Sequence, residues 1–175
     1  DSSTTNWLSD PTNRRRDRSN SFSDRRHALS ATAVLNPTFK FDNKVLSYIA
    51  SNNQLALMFV ASSGDVFNIG SNRNLNGDPQ IPTSQQRPLY IGRNTVRGQR
   101  IGQMDARYSR IFPIRERYKP EFFAEAWNLF NHSNVTGYNT TATVDTTGAI
   151  LTAPSLAQTA ALDPRLLQIG LKFSW

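Results

Sequence analysis

The sequence predicts an all-β fold, a meander of antiparallel strands that each carry one polar and one apolar face. Three observations predict it. Five segments, from Arg26–Asn36 to Arg165–Trp175, have strand character. Long polar stretches rich in turn formers (1–24, 70–100 and 132–162) alternate with short connections at 37–44 and 114–117. Hydrophobic residues are only 38 % of the 175, below the roughly 45–50 % (Gly included) of ordinary soluble domains.

The first predicted strand is Arg26–Asn36. Leu29, Ala31, Ala33 and Leu35 take one face, Ser30 and Thr32 the other, and Pro37 ends it. The link Thr38–Asn43 leads to a second apolar segment, roughly Val45–Ile69, read as the next strand. Its continuously apolar middle, Leu55 to Ala61, has no period that separates strand from helix. The third strand is Ile101–Ile114, where Gln103, Asp105, Arg107 and Ser109 alternate with Met104, Ala106 and Tyr108. A helix there would have no apolar stripe, so the period is two. Arg115-Glu116 is expected to turn tightly into the fourth strand, Arg117–Phe130. Lys119, Glu121 and Glu125 share one of its faces, opposite Phe122, Ala124 and Ala126; a helix over Glu121–Asn131 is the rival. In the last strand Leu167, Ile169, Leu171, Phe173 and Trp175 face one way and Gln168, Gly170, Lys172 and Ser174 the other.

The longest apolar run, Leu55 to Ala61, is far short of the ~20 residues of a membrane helix, whereas membrane-barrel strands need only ~9–11. The chain has no cysteine, so disulfides, thiolate metal sites and a cysteine nucleophile are excluded. It opens at Asp1 with no signal-like segment, and a fragment of something longer is the expectation. Strands and connections fit an up-and-down membrane barrel segment. If the last strand ends in the periplasm, parity puts the three long loops outside the cell and the short links in the periplasm, as such barrels require.

The terminus Gln168-Ile-Gly170-Leu-Lys-Phe173-Ser-Trp175 resembles the signal that outer-membrane barrels present to their assembly machinery. Gln168, Gly170, Phe173 and Trp175 fill its polar, glycine, hydrophobic and terminal aromatic positions. A broader resemblance covers most of the chain. Its pieces are Ser63-Gly64-Asp65-Val66-Phe67-Asn68, Asn74-Leu75-Asn76-Gly77-Asp78, Gly92-Arg93-Asn94-Thr95, Asp105-Ala-Arg107-Tyr-Ser109-Arg110, Glu125-Ala-Trp127-Asn128-Leu129-Phe130-Asn131-His132, Asn134 and Asp163-Pro164-Arg165. They are similar to the ends of TonB-dependent receptors of the Oar-like group, which carry a carboxypeptidase-regulatory-like domain. The resemblance implies a ~22-stranded barrel plugged by a separate domain, with this chain (1–175) supplying about the last five strands. It also implies import of a bulky nutrient, with the plug, the TonB complex, the assembly machinery and lipopolysaccharide as partners. The TonB contact would lie in an N-terminal part absent from the chain.

Asp105, Arg107, Glu121, Glu125 and Lys172 are expected to face the lumen, as an ion-pair network or a substrate path. Glu121 and Glu125 lie two pleats apart, ~13 Å by strand rise, too far for an acid/base pair at one bond. Arg110 falls on the apolar face, by snorkelling or through a bulge. Asn72, Asn74 and Asn76 have calcium-loop spacing, but the acidic positions are amides and the twelfth is Thr83, so no metal is expected. His27 and His132 lie in no catalytic motif; neither an enzyme nor a cofactor is expected. The net charge of +7 is concentrated between Arg87 and Arg117, where eight arginines (87, 93, 97, 100, 107, 110, 115, 117) face Asp105 and Glu116. Arg14-Arg15-Arg16 and Arg18 form a second cluster. Either could meet phosphates. A surface or soluble β-rich binding module, adhesin-like or self-assembling, stays open, and less so a basic nucleic-acid binder.

Overall fold

A computed structural model describes residues 13–39, 41–77, 79–114 and 118–174. The chain divides into two compact units.

One unit, residues 28–62, 101–134 and 163–175, is built on a five-stranded antiparallel sheet. We label its strands β1 (Ala28–Leu35), β2 (Asn53–Ser62), β3 (Ile101–Ile111), β4 (Glu121–Trp127) and β5 (Leu166–Lys172). They pair in chain order, each only with its neighbours, which is the meander the alternation predicted. The register runs without a shift through all four pairings. Leu29, Leu57, Ala106, Ala124 and Ile169 therefore lie on one face, and Thr32, Met58, Asp105, Glu125 and Gln168 on the other. The helix weighed for Glu121–Asn131 does not form, because both edges of β4 are committed to sheet hydrogen bonds.

Other boundaries need correction. The segment expected as one strand from Val45 begins as a helix, α1 (Lys44–Ala50), and only Asn53 onward is strand. The cause is local: Asn43 Oδ1 accepts from the backbone N–H groups of Val45 (2.9 Å) and Leu46 (3.4 Å), an N-cap that starts the turn. Asn52, at φ 58°, turns the chain into β2. β4 is shorter than Arg117–Phe130, since Asn128 leaves the strand at φ 50°. β3 ends at Ile111, although an Ile114–Tyr118 bridge extends that hairpin. The proposed Arg115-Glu116 turn lies outside the described residues, as does Trp175.

The second unit, residues 1–27, 63–100 and 135–162, comprises the stretches read as long polar loops. They are ordered by short strands of their own. Val66–Phe67 pairs with Val96–Arg97, and Val135–Tyr138 with Gln158–Ala161. Thr141–Val144 sits between Gly70–Ser71 and Ile150–Thr152. The core is small: Val66, Ile81, Val135, Ala142 and Val144 are buried. Polar groups carry the rest. Gln86 is buried with its amide fully used, its Oε1 accepting from the N–H groups of Leu75 and Asn76 and its Nε2 donating to Asn74 Oδ1 and Ile81 O. Arg87 is buried against Asp17 at 2.5 Å and donates to the Arg16 carbonyl at 2.9 Å. No helix among the described residues is long and apolar enough to cross a membrane, which says nothing of strands.

Candidate functional site

The polar face of the sheet gathers the charges singled out in the sequence. Arg107 in β3 stands directly opposite Glu125 in β4, which stands opposite Gln168 in β5; Glu121 stands opposite Lys172. One guanidinium spans both carboxylates: Arg107 pairs with Glu125 through Nη1 and with Glu121 through Nη2, the latter at 3.2 Å. The strand rise separates the two glutamates' backbones, but side chains that lean along the strand bring both carboxylates to one cation. Arg107 also lies over the Phe123 ring, 4.5 Å from its centroid. Half-exposed as it is, the cluster contributes more to order than to stability.

Asp105 lies one pleat beyond Arg107 and has a different task. Its Oδ1 accepts from Gln103 Nε2 and from the backbone N–H of Asn128, both at 2.9 Å. It thereby holds the corner at which the chain leaves β4. Asn128 completes that corner: its Nδ2 donates to His132 O and Asp163 O, and its Oδ1 accepts from His132 N. Asn131 Oδ1 accepts from Arg165 N at 3.0 Å, aligning the entry to β5. The Asn-Leu-Phe-Asn-His run is thus a structural corner, a role that two asparagines just after a strand could have signalled.

Of the assembly-signal residues, Gln168 and Gly170 take the polar face, and Phe173 follows directly on the last paired residue, Lys172. Trp175 lies outside the described residues. Gly170 is opposite Phe123, and a Cβ there would collide with the phenyl ring. The glycine is therefore the floor on which Phe123 lies, with Arg107 near the same ring. Gly170→Ala is expected to cost about 1–3 kcal/mol by overpacking. Phe123→Ala should remove most of that cost, which a double-mutant unfolding cycle would read. Additive losses would mean that ring and glycine are independent.

In the second unit several arginines are occupied. Arg97 donates to Asp24 Oδ2 at 2.6 Å and to the Gly64 carbonyl at 3.0 Å, and Arg25 pairs with Asp65 at 3.0 Å. The asparagines at calcium-loop spacing are used as well: Asn72 Oδ1 accepts from Val144 N, and Asn74 Oδ1 from Gly77 N. Histidines 27 and 132 belong to different units. Asp145 organises the turn to Ala149. Its carboxyl is held below the usual range by the Thr147 hydroxyl and then by the Ala149 N–H, against a smaller opposing effect of desolvation. A depressed folded pKa stabilises above the unfolded value, ~3.9, and that contribution is lost as pH falls through the folded one. Amide exchange at Thr147 and Ala149, corrected for intrinsic rates, should show constant protection above pH ~5 and loss below ~4. Asp145→Asn should abolish the pH dependence; unchanged titration in that variant would rule the carboxylate out.

A family profile described as an outer membrane beta barrel domain matches residues 1–92 and 89–168. The chain belongs to that family. Nothing matches among curated proteins or among solved structures. As an outer membrane barrel chain it resides in the bacterial outer membrane. Its antiparallel sheet is barrel wall, and β1 and β5 each keep one edge outside the five-stranded sheet. The family is consistent with the exposed Leu29, Leu35, Phe59, Leu167, Ile169 and Leu171, which share one face. An apolar face of this kind suits contact with lipid.

Proposed function

We propose that this barrel chain is the closing part of the wall of a TonB-dependent receptor of the Oar-like group, importing a bulky nutrient. The observation that carries the reading is the polar face. Arg107, Glu121, Glu125, Lys172 and Asp105 line a surface that suits a wet or plugged lumen and not a lumen filled by apolar side chains. The plug is the partner of this face, the three long stretches stand outside the cell, and the short links lie in the periplasm. Arg14, Arg15 and Arg18, exposed in the first long stretch, suit lipopolysaccharide phosphates. The terminal strand meets the assembly machinery, and a preceding domain meets TonB. We assign the chain no catalytic step and no cofactor. Nucleic acid is not a proposed partner: among the eight clustered arginines, 87, 97, 107 and 110 are held by internal contacts.

The test is the intact mass of the native polypeptide in a purified outer-membrane fraction, with crosslinking in live cells. A detergent-requiring species several times heavier than 19.7 kDa that crosslinks to TonB is expected. A heavy species without that crosslink would be a barrel of another kind. A 19.7 kDa species in the soluble fraction would remove the transporter reading altogether.

A further inference from the structure

The connection between β1 and β2 is more than a turn. α1 has no buried residue, and Val45 (66 % exposed), Leu46, Tyr48 and Ile49 all stand open, with Phe39 and Phe41 exposed just before it. A helix of seven residues is marginal in water by itself, since its nucleation cost is spread over too few bonds. This one is fixed at both ends. Asn43 caps its start. At its other end the Arg110 guanidinium donates to the Tyr48 carbonyl at 2.8 Å and lies over the rings of Tyr48 (5.5 Å) and Phe112 (4.7 Å).

Arg110 tells which side of the wall the helix is on. The register of β3 is unbroken at Arg110, which pairs with Asn53 in β2 and Phe122 in β4, so no bulge turns it round. It projects from the lipid-facing surface, and its reach to Tyr48 holds the end of α1 on that surface. A cation on the lipid face is costly at mid-membrane and tolerable at the rim, where it can reach a carbonyl or a phosphate. Tyr118 and Phe173, with ring centroids 6.1 Å apart, mark the same end of the sheet with the aromatic residues favoured at membrane interfaces. Lys44 adds a positive charge at the helix start.

We propose that α1, with Phe39 and Phe41, lies in the headgroup interface of the periplasmic leaflet, an interfacial helix clamped to the lipid side of the wall by Arg110. The occupant of its apolar surface is phospholipid, because that surface continues the membrane-facing side of the sheet. The inference rests on the proposed orientation, in which the short connections are periplasmic.

The experiment uses the full-length receptor, freed of cysteines and reconstituted into phosphatidylethanolamine–phosphatidylglycerol vesicles. An environment-sensitive dye is placed at Leu46→Cys or, as a wall control, at Ile169→Cys. The expected result is blue-shifted emission at both positions. Spin-labelled lipids carrying the quencher near the headgroup should quench position 46 most, and deep quenchers position 169. Water-like emission at 46 with quenching by iodide overturns the proposal. So does blue-shifted emission that lipid quenchers leave untouched, which would point to a protein occupant. Loss of lipid quenching at 169 as well would bring down the wall reading itself. Arg110→Ala should lower lipid quenching at 46 at least twofold and leave 169 unchanged; an unchanged signal at 46 removes Arg110 as the clamp. In intact cells an impermeant maleimide should spare position 46, and labelling there would overturn the periplasmic placement.

Discussion

Leu57→Arg is expected to destabilise the folded barrel by about 2–4 kcal/mol, while Met58→Arg, one residue along, stays within about 0.5 kcal/mol. The two residues are neighbours in the middle of β2 and point to opposite faces. Position 57 places a guanidinium against hydrocarbon, with no phosphate within reach. Position 58 is directly opposite Asp105, on the side where charges already gather. The measurement is urea unfolding of the full-length protein in phospholipid vesicles. Equal penalties at the two positions would mean that the faces have been assigned wrongly, or that neither meets lipid. The same substitution at Leu29 or Leu35, near the strand ends, should cost only about 0–1 kcal/mol.

Asn128→Ala is expected to cost about 3–5 kcal/mol, the largest loss for a residue outside the apolar face. Asn128 is 2 % exposed, and its side chain satisfies two carbonyls and one N–H drawn from the two ends of a long excursion. Alanine strands all three and must also hold φ near 50°, which a Cβ resists. Asn128→Gly relieves the backbone and not the stranded groups, so it should recover about 1 kcal/mol of the loss and no more. Asn128→Asp retains the acceptor and loses both donors, and should fall between wild type and alanine. A loss below about 1 kcal/mol for the alanine variant would show that water replaces the side chain there.

What was legible in the sequence was whatever a period of two can carry. The faces of β3, β4 and β5 follow from alternation at Gln103–Ser109, Glu121–Ala126 and Leu167–Phe173, and their meander order from the alternation of long and short connections. Apolar runs without alternation were not legible. Val45–Ile69 hid α1 because its start is decided by one amide cap, and Val, Leu and Ile serve helix and strand alike. The face of Arg107 could be read from the sequence, but not its simultaneous grip on Glu121 and Glu125, which depends on side-chain lean. Periodicity groups Asp105 with that cluster, yet its carboxylate is committed to the Asn128 corner, a contact set by a left-handed residue that periodicity cannot reveal. The long stretches looked structureless because their order comes from Gln86, Arg87 and Arg97, polar residues with partners up to 73 positions away.

Those distant ties have a consequence for durability. The loop unit is drawn from three separate lengths of chain and stitched crosswise: Asp17 to Arg87, Asp24 to Arg97, Gly70 to Thr140 and Leu89 to Gly148. A protease that finds one exposed bend, such as the one around Gly77, would cut a strand of a net and not the stem of a flap. Both new ends would stay held by side chains and backbone from the other two lengths. A nicked molecule could thus pass for an intact one until it is boiled in detergent.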